Sequence, residues 1–287
     1  MKQLLVLSGK GGTGKTTVAS ALIQLSHAKA FADCDVDAPN LDLVMHQRCE
    51  PIKTDYFGMP KAIIHEEVCI ECGQCQSQCR FDAITYNQFN ETYQVNLNAC
   101  EGCGVCELIC PVDAIHLESL VDGQMLLYKD ERVFSTAKLK MGSGTSGMLV
   151  TRVKKQMMEE EIDTNIAIID GSPGIGCPVI ASISGVDYVL IVAEPSLSGI
   201  SDMERIISTA SGFGVKTFVC VNKYDVNTEY TDKIEGYAKR KHLEFVGRIP
   251  YDVEAVKAIN QGNTIVDIDC ASGRAVGQIY ETIKNKL

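Results

Sequence analysis

The chain has 287 residues, 45% hydrophobic and 22% charged, which is long enough for one large α/β domain carrying a smaller one. Its net charge of −10 argues against nucleic-acid binding, which needs clustered lysine and arginine. No stretch approaches the roughly 18 apolar residues of a membrane helix, and Leu4–Leu7 is too short for a signal peptide. A cytoplasmic protein without stable membrane insertion is therefore expected.

Residues 3–7 read as a buried parallel strand, followed by a glycine-rich loop and a helix from about Lys15 to Ser26. Residues 29–34 give a second strand, and Asp35–Leu43 a loop turning into a helix. Near Pro60 the pattern changes. Until about Leu120 there are short β-prone pieces, glycine turns and cysteine runs, with no long amphipathic helix. Residues 125–134 then read as a strand, 142–147 as a flexible loop, and about Met148 to Glu161 as a helix. Ile166–Asp170 is a buried strand ending in an acid. Tyr188–Ala193, Thr217–Val221 and Glu244–Ile249 are further strands with helical stretches between them. This alternation predicts an α/β fold with a doubly wound, mostly parallel sheet. Its two parts, 1–58 and 122–287, would be interrupted by a small α+β domain at 59–121.

The loop after the first strand satisfies G-x-x-x-x-G-K-[ST] with Gly9, Gly14, Lys15 and Thr16. Its backbone amides would wrap phosphates at a helix N-terminus. Lys15 would neutralise the β and γ phosphates, and the Thr16 hydroxyl would ligate Mg²⁺. Nucleotide contacts are expected from Gly9, Lys10, Gly11, Gly12, Thr13, Gly14, Lys15, Thr16 and Thr17.

With the second lysine, Lys10, the string Lys10–Thr17 resembles the deviant Walker A loop of the MinD/ParA/Mrp/nitrogenase-iron-protein class of P-loop ATPases. Asp33-Cys34-Asp35-Val36-Asp37 is similar to its switch I. Asp170-Gly171-Ser172-Pro173-Gly174 is similar to its Walker B and switch II. The resemblance runs through the whole ATPase portion. It implies ATP hydrolysis with Mg²⁺ and an ATP-sandwich homodimer in which Lys10 reaches the phosphates bound by the other subunit. Asp35 would orient or activate the attacking water, and Asp33 and Asp170 would hold Mg²⁺ through water. The Gly174 amide would sense the γ-phosphate. Asn222, in Val221–Asp225, would hydrogen-bond the adenine. The same letters resemble the N-K-x-D guanine motif, so that stretch leaves the base open. The early lysine and the Ile249–Asp252 turn, with Pro250, favour ATP.

Eight of the thirteen cysteines form two runs of spacing C-x2-C-x2-C-x3-C: Cys69, Cys72, Cys75, Cys79 and Cys100, Cys103, Cys106, Cys110. Pro111 follows the second run. The segments around them align without gaps across a 31-residue shift, an internal duplication. A secreted disulfide framework fits neither the missing export signal nor this spacing. A zinc site would need C-x2-C pairs separated by a spacer. The doubled run resembles a bacterial ferredoxin with two [4Fe–4S] clusters. That resemblance assigns Cys69, Cys72, Cys75 and Cys110 to one cluster, and Cys100, Cys103, Cys106 and Cys79 to the other. Arg80 stands where the first run would carry its proline, and its charge would raise one cluster's potential. Cys49, Cys220 and Cys270 read as small core or surface residues, and Cys34 is open. Cys177, before Pro178 at a helix start, is either a ligand of a cluster shared across the dimer or a buried small residue beside a tight turn.

Between residues 61 and 120 the basic residues are Lys61 and Arg80, against Glu66, Glu67, Glu71, Asp82, Glu91, Glu101, Glu107, Asp113 and Glu118. Such an acidic face would steer a basic redox partner protein. The cysteine block follows switch I, so the expected function is ATP-gated electron transfer. Two alternatives stand beside it. One is a MinD-like positioning switch with redox-sensing clusters, although Gln278–Leu287 lacks a basic, aromatic membrane tail. The other is iron–sulfur cluster delivery, although no C-x-x-C pair follows Cys177.

Overall fold

A computed structural model describes residues 1–287, which form two compact units. The first comprises Met1–Thr54, Met125–Lys138 and Gly147–Leu287. The second comprises Asp55–Gln124 and Leu139–Ser146. The chain begins with β1 (Lys2–Leu7), α1 (Lys15–Ser26), β2 (Ala30–Asp33), α2 (Asp42–Met45) and β3 (Ile52–Phe57). It continues with β4 (Lys61–Ile64), α3 (Gln74–Gln78), β5 (Ile84–Asn87), β6 (Thr92–Val95), α4 (Val105–Leu108) and β7 (Ile115–Glu118). Then come β8 (Val121–Lys129), β9 (Val133–Leu139), α5 (Ser146–Met158), β10 (Ile166–Asp170), α6 (Cys177–Ile183), β11 (Tyr188–Ala193) and α7 (Leu197–Gly212). The last elements are β12 (Lys216–Asn222), α8 (Thr228–Arg240), β13 (Glu244–Ile249), α9 (Val253–Asn260) and α10 (Ala271–Lys284).

The large sheet has the order β13-β12-β11-β1-β10-β2-β9-β8-β3, with parallel pairing from β13 through β9. Its central strands are continuous apolar runs. Leu4–Leu7 and Val189–Val192 are fully buried, as parallel strands covered on both faces must be. Leu22 and Ile23 of α1 share a core with Phe31, Phe134, Phe218 and Ile279. Phe31 and Phe134 stack with ring centroids 5.0 Å apart. Each such side chain contributes about 1.5–3 kcal/mol by leaving water.

The register decides where chemistry sits. Val6 pairs with Asp170, and Asp170 with Asp33, so β1, β10 and β2 end side by side. The carboxyl edge of a parallel sheet is where ligands bind in this architecture. One sequence expectation changes. Residues 125–134 are not one strand but parts of β8 and β9, joined by Asp130-Glu131-Arg132. The Asp130 carboxylate accepts from the Arg132 amide at 2.8 Å, a side-chain-closed turn that apolar periodicity does not register.

In the second unit β4 pairs antiparallel with β7, and β5 with β6. The duplication is visible in the registers. Lys61 opposite Glu118 and Ala62 opposite Leu117 become, 31 residues away, Thr92 opposite Asn87 and Tyr93 opposite Tyr86. Ala62, Cys75, Ala83, Ile84, Cys100 and Ile115 make a small core in which two cysteines are themselves members.

Candidate functional site

The Asp170 carboxylate is fully buried and accepts two hydrogen bonds from the start of α1. One comes from Lys15 Nζ to Oδ1 at 2.6 Å, the other from Thr16 Oγ1 to Oδ2 at 2.6 Å. Asp33 is also fully buried and accepts backbone N–H bonds from Asp35 at 2.9 Å and from Asn40 and Leu41 at 3.0 Å. Burial, then the neighbouring Asp170 charge, pushes the Asp33 carboxyl up to about 7, against the opposing pull of Lys15 and those amides. Burial would lower the Lys15 pKa, but the Asp170 and Asp33 carboxylates outweigh it and hold it above its ordinary value. Asp35 is raised by burial.

These groups adjoin a cavity of about 630 Å³ lined by residues 10–17 with Ser8, Asp35, Asp37, Asn40 and Ser172. The segment after β2 and the segment after β10 are tied together. The Cys34 amide donates to the Asp170 carbonyl at 2.7 Å, and Ser172 Oγ donates to the Cys34 carbonyl. The Gly174 amide donates to the Ser8 carbonyl at 3.1 Å.

A second cavity, of about 210 Å³, shares Gly12, Gly14 and Thr17 with the first and is lined by Asn222, Ile249, Pro250 and Tyr251. Asn222 Nδ2 donates to the Thr13 carbonyl at 2.6 Å, which ties the end of β12 to the glycine-rich loop. Gly14 has φ +92, and a Cβ there would lie 2.2 Å from Asn222 Nδ2, so a side chain would strain the backbone and displace the Asn222 amide. The structure thus brings the phosphate-loop residues together with Asp35, and Asn222 together with Pro250.

In the second unit, Cys79, Cys100, Cys103 and Cys106 line one small cavity, with Phe81, Leu117 and other apolar side chains. Cys69, Cys72, Cys75 and Cys110 line another. Each set takes three sulfurs from one run and one from the other. The Ala83 amide donates to Cys79 Sγ at 3.4 Å and the Ala114 amide to Cys110 Sγ at 3.2 Å, again 31 residues apart. Burial raises the thiol pKa values of Cys75 and Cys106. No three His, Cys, Asp or Glu side chains converge on a point suited to a single metal ion. Of the remaining cysteines, Cys34, Cys220 and Cys270 are buried and Cys49 partly so. Cys177 is exposed, which corrects the reading of it as a buried turn residue.

Residues 4–265 match the family model of the CobQ/CobB/MinD/ParA nucleotide binding domain. The chain belongs to this family. An uncharacterized protein of Methanocaldococcus jannaschii is 31% identical over 295 residues, covering 98% of this chain and 96% of its own length. A protein of Pyrococcus furiosus named iron-sulfur cluster carrier protein is 22% identical, over 99% of this chain and 86% of its own. The structure of Pyrococcus horikoshii MinD complexed with Mg-ADP shares the fold with a TM-score of 0.57 at 16% identity, covering 99% of this chain and 96% of that one. The protein is a nucleotide-binding member of the MinD/ParA ATPase type.

Within that family frame, sequence reasoning missed Glu194. Lys10 Nζ lies 2.5 Å from Glu194 Oε2, a charge contact rather than a directed hydrogen bond, since that oxygen has no hydrogen-bond partner. The signal was present. Glu194 directly follows a buried strand, as Asp170 ends one. Lys154 was also missed. It is buried and donates to the carbonyls of Ser182 and Ser184 at 2.6 Å each, closing the end of α6.

Asp33 gives a signed pH prediction. A carboxyl raised on folding adds stability below its unfolded pKa of about 3.9, and this is lost as pH rises through about 7. Relative to Asp33→Asn, the nucleotide-free wild type is therefore more stable at about pH 5 than at about pH 8 in urea unfolding. A difference independent of pH contradicts the assignment.

Proposed function

We propose that this protein couples ATP binding and hydrolysis in its first unit to electron transfer through two [4Fe–4S] clusters in its second. The observation that carries the reading is the pair of cavities, each lined by four cysteines drawn crosswise from both runs. Four soft thiolates with apolar surroundings and N–H donors to sulfur fit an iron–sulfur cluster. A cluster occupies a volume, so its thiolates need not converge on a point as ligands of a single ion would. The small core of this unit is a further support, since domains of that size commonly depend on a metal centre. When bound, the clusters supply one-electron transfer at low potential. The chain's own residues hold them. Cys69, Cys72, Cys75 and Cys110 would bind one, and Cys79, Cys100, Cys103 and Cys106 the other.

On the ATP side, Lys15 would leave Asp170 for the β and γ phosphates, and Thr16, Asp170 and Asp33 would hold Mg²⁺, which screens phosphate charge. Asp35, facing the phosphate cavity, would align the attacking water. Gly174 would exchange its bond to Ser8 for one to the γ-phosphate. The Cys34–Asp170 and Ser172–Cys34 bonds link both switches, so a change at one moves the other. The chain leaves switch I and enters the cysteine block some twenty residues later, which gives a covalent route for coupling. ATP would close a homodimer with Lys10 reaching across, and an electron-transfer partner protein would meet the acidic face. Cluster delivery is the second reading, favoured by the relative named as an iron–sulfur cluster carrier. Transfer of labelled iron to an apo-protein separates the two.

Protein purified without oxygen is expected to hold about eight irons and about eight sulfides per chain. Lys15→Arg keeps the charge that balances Asp170 but replaces the compact ammonium with a bulkier planar guanidinium, so it should retain iron and lose ATP turnover. Wild type without iron, or undiminished turnover in the variant, would sink the proposal. Freed from Glu194 by Glu194→Gln, Lys10 should support dimerisation at lower ATP, as read by light scattering. An unchanged ATP requirement would show that the contact does not restrain it.

A further inference from the structure

The duplication makes the two cysteine-lined cavities near-copies, so what differs around them carries information. Lys61 and Thr92 are equivalent positions, 31 residues apart and opposite the equivalent partners Glu118 and Asn87. Lys61 is buried, 6% exposed, and its Nζ donates to the carbonyl of Cys100 at 2.6 Å. Cys100 lines the cavity with Cys79, Cys103 and Cys106. Gly102 lets the backbone just before Lys61 pass close by, because a Cβ there would lie 2.2 Å from the Pro60 carbonyl. Thr92 is neutral, and its hydroxyl is buried without a partner.

No carboxylate lies within ion-pair distance of Lys61, and its cross-strand neighbour Glu118 is exposed. An ammonium buried without a counter-ion is costly, so the surroundings call for an anion. Four thiolates around a [4Fe–4S] core carry net negative charge, and reduction adds one unit more. We infer that Lys61 makes the two sites unequal. Its charge raises the reduction potential of a cluster held by Cys79, Cys100, Cys103 and Cys106 above that of one held by Cys69, Cys72, Cys75 and Cys110. This rests on the two-cluster reading above. Exposed Arg80, next to Cys79, acts in the same direction, while Glu101 on the cavity wall and Glu107 beside Cys106 oppose it. Arg80 and Glu101 face water, which screens them. Glu107 is partly covered, and its carboxylate accepts from the Leu117 amide at 3.1 Å. Lys61 is shielded from solvent, so its charge acts at low dielectric. The first electron from a one-electron donor therefore rests on the Lys61 side, with no bond made or broken.

The test is a dithionite titration of the anaerobic full-length protein, followed by electron paramagnetic resonance. Wild type should show two separate one-electron steps, with Cys103→Ser altering the upper and Cys72→Ser the lower. Lys61→Met should lower the upper step by at least tenfold in its reduction equilibrium, about 59 mV, and leave the lower one in place. Lys61→Arg should restore it. Thr92→Lys should raise the lower step and narrow the gap, which keeps the inference testable if Lys61→Met loads iron poorly. Wild type lacking iron would overturn the two-cluster reading itself. Both clusters present, with neither Lys61→Met nor Thr92→Lys moving its step, would overturn the role of Lys61 alone.

Discussion

A buried carboxylate shared between a lysine and a threonine holds the nucleotide end of this protein in readiness. Asp170, with no access to water, is balanced by Lys15 and Thr16 at 2.6 Å each. A buried ion pair contributes little net stability, because desolvation offsets the attraction, yet removing one partner costs about 3–5 kcal/mol. Such a pair is expensive to break and inexpensive to exchange for another well-placed charge. Phosphate and Mg²⁺ offer that exchange. Asp33, raised by burial and by Asp170, adds a second carboxylate whose charge is poorly accommodated until a cation arrives.

The sheet creates this arrangement. The β1–β10–β2 register aligns Val6, Asp170 and Asp33, so three separate sequence segments end at one edge. The second unit solves a different problem with a similar economy. One short segment, used twice, yields paired strands and cavities of four cysteines. The duplication also supplies an internal comparison. A lysine on one side and a threonine on the other are the kind of difference by which a protein gives two like centres different tasks.

The residues read as a nucleotide site were legible in the sequence as one contiguous loop and as polar residues closing apolar strands. The phosphate loop spans nine residues, and Asp170 and Asn222 announce themselves by ending apolar strands. The cysteine spacing was legible for the same reason. What escaped depended on distant parts of the chain. Nothing local pairs Lys10 with Glu194 or sets Lys61 against the Cys100 carbonyl. The turn that divides residues 125–134 into two strands is closed by a side chain rather than by glycine or proline. Of the two readings of Cys177, a ligand at a helix start or a buried small residue beside a tight turn, the fold removes the buried one by leaving it exposed.

In the proposed function, nucleotide state and electron state are linked. The most direct measurement is the reduction potential of the two proposed clusters in the anaerobic protein, with no nucleotide and with a non-hydrolysable ATP analogue and Mg²⁺. Linkage requires that any shift be matched by an equal change in nucleotide affinity on reduction, a raised potential going with tighter binding to the reduced protein. The expected result of such coupling is a shift in at least one potential together with that reciprocal change. Potentials that stay the same whether the phosphate cavity is filled or not would contradict it.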